Sequence, residues 1–163
     1  MSMELVKPFC NLGTLADDRG GIFTWALPKE TAGRTIKEFN LIQTNKGEMR
    51  GFHYHKEFVE WILVTSGQVV YFEYVPRLIQ LQRVEARQSQ YPFEILGPGD
   101  CICFPIGTGH TMKALTDLSM VAMIDKRWDD CEEPITPIEF EPLEMEHKIL
   151  REIENGRIHL PSS

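Results

Sequence analysis

Nowhere does this 163-residue chain hold an apolar run approaching the roughly 18 residues that a membrane-spanning helix needs. Its opening segment, MSMELVKPFC, has no apolar core of the kind that signal peptides carry, so a cytoplasmic protein is expected. Cysteine is scarce: Cys10, Cys101, Cys103 and Cys131 are too thinly spread for a secreted disulfide scaffold, and thiols are expected instead. Positive charge is short as well. Seventeen Lys and Arg face 24 Asp and Glu, a formal net charge of −7. A wide surface of that sign repels a phosphate backbone, which argues against a general nucleic-acid binder, though one small basic pocket for a single anionic ligand is compatible with it. Internal repeats and low-complexity segments are absent, and helix signals are weak over most of the chain.

What is present is an ordinary globular composition, 42% hydrophobic and 25% charged, in a length that suits one domain over residues 1–163. Apolar runs are short and turn residues frequent. IKEFNLIQT alternates, with Phe39, Leu41 and Gln43 on one face and Glu38, Asn40 and Ile42 on the other. FVEWILVTSG and QVVYFEYV are rich in β-branched and aromatic residues and are separated at Ser66-Gly67, which reads as strand, tight turn, strand. FEILGPGDCICFPIGTGHTMKAL and SMVAMID continue the pattern. Such a series predicts an all-β antiparallel sandwich or barrel. Near the end, EPLEMEHKILREIENG places Pro142 early, Leu143, Leu150 and Ile153 on a helical period, and Gly156 as a stop, so one short C-terminal helix is expected. The polar stretch from Arg77 to Gln90 reads as a hairpin loop with some strand character around LIQLQRV, and the tail HLPSS as frayed.

The chemistry concentrates in GEMRGFHYHKEFVEWILVTSG. His53 and His55, two apart on a strand, share a face. Glu60 follows at an odd offset, so a turn or bulge around Lys56 to Phe58 is needed for it to converge on them. Downstream, GDCICFPIGTGH supplies His110. Three imidazoles and a carboxylate suit Zn, Fe, Ni or Mn, but the same histidines could be acid–base groups or plain strand residues. Cys101 and Cys103 alternate on the strand leading to His110 and read as buried thiols.

Both blocks resemble the cupin motifs. The first runs Gly47, five residues, His53-x-His55, four residues, Glu60, six residues, Gly67. The second runs Gly99, five residues, Pro105-x-Gly107, two residues, His110, with Ala114 where the motif ends in Asn. The resemblance implies a jelly-roll β-barrel with His53, His55, Glu60 and His110 as ligands of a divalent metal and no organic cofactor. DDRGGIF and TNKGEMRGFHYHK are further similar to segments of the dTDP-sugar 3,5-epimerase superfamily, and most of all to the dTDP-4-keto-6-deoxyhexose 3,4-ketoisomerases. RGFHYH followed by Glu60 also resembles the zinc-binding cupin domain of capsule-sugar reductase/epimerases.

These likenesses imply a nucleotide-diphosphate sugar with a 4-keto group as substrate, no nucleic acid or membrane partner, and a homodimer. Arg50 and Arg19 would meet the phosphates, and Phe23 could stack on a base. The implied reaction is proton abstraction alpha to the carbonyl, giving an epimer or a ketoisomer. His53, with His55 as a second acid–base group, would move the proton if no metal binds them. Tyr71 or Lys113 is the candidate base if one does. Two other classes fit the ligand set: a metal-dependent dioxygenase acting on a small molecule, and a non-catalytic sugar-binding cupin.

Overall fold

The computed structural model of the chain describes residues 11–18, 20–25, 33–74, 93–138 and 144–156. The expected 77–90 loop, the HLPSS tail and Arg19 lie outside them, and of Phe23 only the backbone is described.

Among the described residues, eleven strands and one α-helix follow in order: β1 (Asn11–Asp17), β2 (Gly20–Trp25), β3 (Glu38–Thr44), β4 (Met49–Tyr54), β5 (Glu60–Ser66), β6 (Val69–Tyr74), β7 (Phe93–Leu96), β8 (Cys101–Phe104), β9 (Gly109–Ala114), β10 (Leu118–Ile124), β11 (Thr136–Pro137) and α1 (Glu144–Glu154). A 3-10 turn, Trp128–Asp130, lies between β10 and β11. β1 and β2 form a hairpin of their own. The rest make two antiparallel sheets, a four-stranded one in the order β3-β10-β5-β8 and a five-stranded one in the order β11-β4-β9-β6-β7. Consecutive strands that alternate between facing sheets are the jelly-roll pattern. Among the described residues the two sheets are not joined edge to edge, so the roll is a sandwich.

The side chains sort by strand alternation into three layers. Between the sheets lie Ile62, Val64, Val69, Tyr71, Ile102, Phe104, Met112 and Met120, among others. Outside the five-stranded sheet, Val70 and Phe72 pack against Leu150 and Ile153 of α1. Outside the four-stranded sheet, Trp61, Cys101 and Cys103 form a third cluster with Val59. The two cysteines thus share a face, as their spacing predicts, and it is the face turned away from the interior.

The strands at FVEWILVTS and VVYFEY exist, but they do not pair as a hairpin. β5 pairs with β10 and β8, whereas β6 pairs with β9 and β7. The turn between them is a corner from one sheet to the other. Gly67, at φ +81°, makes it, with its Cα pressed against the Asp117 carbonyl where a Cβ would collide. On β3 the apolar face is the exposed one: Phe39 and Leu41 are 66% and 69% accessible, and Glu38, Asn40 and Ile42 point inward.

Candidate functional site

A cavity of about 860 Å³ opens at one end of the sandwich. β4 and β9 supply its reactive wall. Between them the register slips by one residue, from Gly51 opposite Thr111 to His53 opposite His110. The extra residue is Phe52, at the unusual φ of +57°. Its N–H donates to Thr111 Oγ1 at 3.1 Å and its carbonyl accepts from the Ile138 N–H at 2.7 Å, so the bulge leaves no orphaned backbone group there. Gly51 permits the close approach: at φ +109°, a Cβ on it would sit 2.5 Å from the His110 carbonyl oxygen. The consequence is functional. Arg50 and His53 are three apart and would fall on opposite faces of a regular strand, but the bulge brings both to the cavity.

Glu60 arrives from the other sheet. The chain leaves β4 at Tyr54, crosses between the sheets and enters β5 at Glu60, so the odd offset from His55 is resolved by a change of sheet. Glu60 Oε2 lies 3.3 Å from His55 Nε2 and 3.3 Å from His110 Nε2. The ring centroids of His53 lie 4.8 Å from those of both His55 and His110. One nitrogen of each of the three histidines falls within 4.8 Å of the others.

The outer nitrogen of each imidazole meets a backbone carbonyl. His53 Nδ1 donates to Gly51 O at 3.1 Å, His55 Nδ1 to Pro134 O at 2.7 Å and His110 Nδ1 to Thr108 O at 3.4 Å. A carbonyl only accepts, so each Nδ1 carries a proton, and a neutral ring keeps its lone pair on Nε2. Burial depresses the pKa of His110 to about 3, against the attraction of Glu60, and leaves a neutral ring. Burial also lowers His53, with help from neighbouring His55. Burial alone would raise Glu60, but the hydrogen bond from His55 and the neighbouring imidazoles outweigh it and hold the carboxyl below its ordinary value. The result is a buried cluster of an ionised carboxylate and three imidazoles, with Nε2 of His53 and of His110 unprotonated. That donor set fits a divalent cation. Ligand atoms around a tetrahedral ion at about 2.0–2.1 Å are separated by about 3.3–3.4 Å, the spacing that Glu60 keeps from His55 and His110.

Other predicted residues are placed as follows. Arg50 lines the cavity, its Nε donating to Thr44 Oγ1 at 2.7 Å and its Nη2 to Gln43 O at 2.9 Å. Tyr71 belongs to the inner core, edge-on to Phe104 at 6.0 Å, and does not line the cavity. Burial, with the charges of Glu94 and Glu73, pushes its hydroxyl pKa up, so it is no base at neutral pH. Lys113 is one residue out of phase with His110 and Met112. It therefore faces outward, with Nζ 3.5 Å from Glu154 of α1. Neither residue is positioned to serve as the base.

Lining residues outside the motifs include Glu38, Asn40, Trp128, Asp129 and Ile135. The alternation of β3 hinted at the first two, since a face bearing Glu38 and Asn40 suits a wet cavity better than a dry core. Nothing local in the sequence marks the segment after β10. It is tied down by Lys126 to Glu57 at 2.6 Å, by the Glu133 N–H to Glu57 at 2.7 Å and by Lys56 to Glu133 at 2.8 Å. Those contacts seat Pro134 against His55.

A family model described as Cupin matches residues 34–129. None of the curated protein sequences matches the chain. Among solved structures, a double mutant of the 3,4-ketoisomerase QdtA from Thermoanaerobacterium thermosaccharolyticum, in complex with TDP, is similar at 16% identity and a TM-score of 0.61, over 83% of this chain and 88% of that one. A 3,4-ketoisomerase from Helicobacter canadensis matches at 17% identity and 0.60, over 93% and 99%. The capsular polysaccharide assembling protein CapF from Staphylococcus aureus matches at 17% and 0.52, over 78% of this chain and 34% of its own length.

Proposed function

From the premise that the chain belongs to the cupin family, we propose that it is an isomerase or epimerase of a nucleotide-diphosphate 4-keto sugar. The observation that carries this reading is the neutral, half-buried His53 in a cavity that also contains Arg50. The volume, about 860 Å³, is in the range of small-molecule sites. The similarity in fold to 3,4-ketoisomerases, one of them solved with TDP, supports the same choice of substrate. Surface-polysaccharide or deoxysugar biosynthesis is the setting in which such a step occurs.

The two ends of the cavity divide the work. Arg50 is pinned near Thr44, at the far end of β3, while Glu38 at its near end shares a row with Glu60 across Ile124 of β10. Six residues of strand separate Thr44 from Glu38, about 20 Å. A diphosphate at Arg50 would leave the sugar within reach of the histidines. Arg50 Nη1 takes no part in the bonds to Thr44 and Gln43, and a guanidinium pinned on one edge is preorganised to offer the other to phosphate.

His53 is the most open of the three histidines, and Glu60 contacts the other two. We assign His53 Nε2 as the base that takes the C3 proton, breaking C3–H as N–H forms while negative charge develops on the C4 oxygen. The same imidazolium then returns the proton to C4, as the C3 hydroxyl proton passes to the C4 oxygen, for ketoisomerisation; epimerisation instead needs a second donor to deliver a proton to the opposite face of C3. His55, Glu60 and His110 are the group that would hold a divalent cation, whose chemistry when bound is polarisation of the substrate carbonyl. Backbone carbonyls fix all three rings, so the proton acceptor is oriented before substrate arrives.

A homodimer belongs to this proposal. β3 is an edge strand that exposes Phe39 and Leu41, a face that a second copy would cover. Titration calorimetry with dTDP and UDP tests the ligand class. Binding of either, weakened ten- to a hundredfold by Arg50→Ala, is expected. Oxygen uptake with a small-molecule substrate, and no nucleotide binding, would instead favour the dioxygenase that the same donor set also fits.

A further inference from the structure

Trp128 stands on the rim of the cavity with 40% of its surface exposed, and Ile135, also exposed, lies on the same rim. Its segment is held from several sides. The Trp128 N–H donates to Glu38 Oε2 at 2.8 Å, and the Cys131 N–H closes the turn onto the Trp128 carbonyl at 3.1 Å. The bonds of Lys126 and Glu133 to Glu57 anchor both flanks. The indole lies 6.3 Å from the ring of Phe58, which is fully buried and stacked on His55 at 4.2 Å. Trp128 is thus one ring removed from the histidine cluster, at the end of the cavity opposite Arg50.

Its polar neighbours are of a particular kind. Glu38 accepts from the Trp128 N–H on one oxygen and from Asn40 Nδ2, at 3.0 Å, on the other. Those bonds lower its pKa, so it is a carboxylate with acceptor capacity to spare. Asp129 adds a second acid to the same rim. Negative charge here repels phosphate and directs it to Arg50. An aromatic face beside a carboxylate and an amide suits an uncharged polyol, whose C–H face lies on the ring while its hydroxyls reach the acceptors.

We infer that Trp128 is the stacking platform for the sugar ring of the nucleotide sugar, with Glu38 and Asn40 as partners of its hydroxyls. This assignment rests on the nucleotide-sugar reading, and it names the residue that separates a nucleotide sugar from a bare nucleotide. An indole held by its backbone loses little freedom when a ring settles on it, so the contact favours whichever ligand carries the sugar.

The test is calorimetry on the full chain with dTDP and dTDP-glucose, and with UDP and UDP-glucose, for the parent, Trp128→Ala and Trp128→Phe. Because the indole is part-exposed and its anchoring bonds are made by its backbone, both variants should melt as the parent does. Trp128→Ala is expected to weaken the sugar nucleotide tenfold or more while leaving the free nucleotide within twofold. Trp128→Phe should retain most of the sugar-nucleotide affinity. An equal loss for both ligands would place the base, and not the sugar, at the indole and overturn the assignment, as would no loss for either. A parent that binds neither probe removes the nucleotide-sugar reading itself, and the platform with it.

Discussion

His53 and His110 face each other across β4 and β9 as register partners, yet they have different tasks. His110 is fully buried, stacked on Phe104 at 4.0 Å and within 3.3 Å of Glu60, whereas His53 is half open to the cavity. His53→Asn should therefore abolish turnover while leaving nucleotide binding and most of any bound metal in place, measured by elemental analysis beside the assay. His110→Ala should lose the metal. Both histidine pKa values are depressed from 6.5 in the folded chain, so protons bind the unfolded state preferentially as pH falls. In metal-free protein, stability should be full above about pH 6.5 and decline toward pH 3, each such histidine adding a slope that approaches about 1.4 kcal/mol per pH unit. Glu60, with its pKa below 4.5, adds a loss of the same sign at the acid end of that window. Urea titrations at several pH values read the decline directly; a flat profile would mean that the histidines are not buried neutral.

Among the elements, the bulge at Phe52 and the strap from Lys126 to Pro134 do most to shape the site. Gly51→Ala would drive a Cβ into the His110 carbonyl at a positive φ, and a loss of more than about 2 kcal/mol is expected. Glu57 holds the strap through Lys126 and the Glu133 N–H. Glu57→Gln should loosen Pro134 from His55 and weaken zinc binding by about tenfold in a chelator competition, with little change in melting temperature. The helix is a separate matter. Leu150→Ala opens the packing of α1 on Val70 and Phe72 and should cost about 2–4 kcal/mol, without altering ligand affinity. Most elements were legible in the sequence because period-2 apolar runs and Gly or Pro turns mark strands however they later pair. Their partners were not. FVEWILVTSG and QVVYFEYV look like a hairpin locally, and only the packing of two sheets decides that each strand joins a different one. The bulge was hidden for a related reason: Gly51 advertises a backbone irregularity but not its effect, which is to put Arg50 and His53 on one face. Tyr71 and Lys113 failed as candidate bases on the same ground, since strand phase decides which side chains see the cavity.

At the scale of the whole molecule, the motif spacing carried the site further than it carried the architecture. His53, His55, Glu60 and His110 converge although they come from both sheets, while Trp128 and Glu38, without a motif, complete the wall. The exposed edge at Phe39 and Leu41 predicts a dimer, and a Phe39→Glu, Leu41→Glu double variant should sediment as a monomer where the parent does not. The central claim, proton abstraction beside a ketone by His53, is tested most directly by incubating dTDP-4-keto-6-deoxyglucose with the protein in D2O and following the sugar by proton NMR. Loss of the C3 proton signal with the parent, and its persistence with His53→Asn at equal nucleotide occupancy, is the predicted result. A C3 proton that persists with the parent while dTDP binds normally would contradict it.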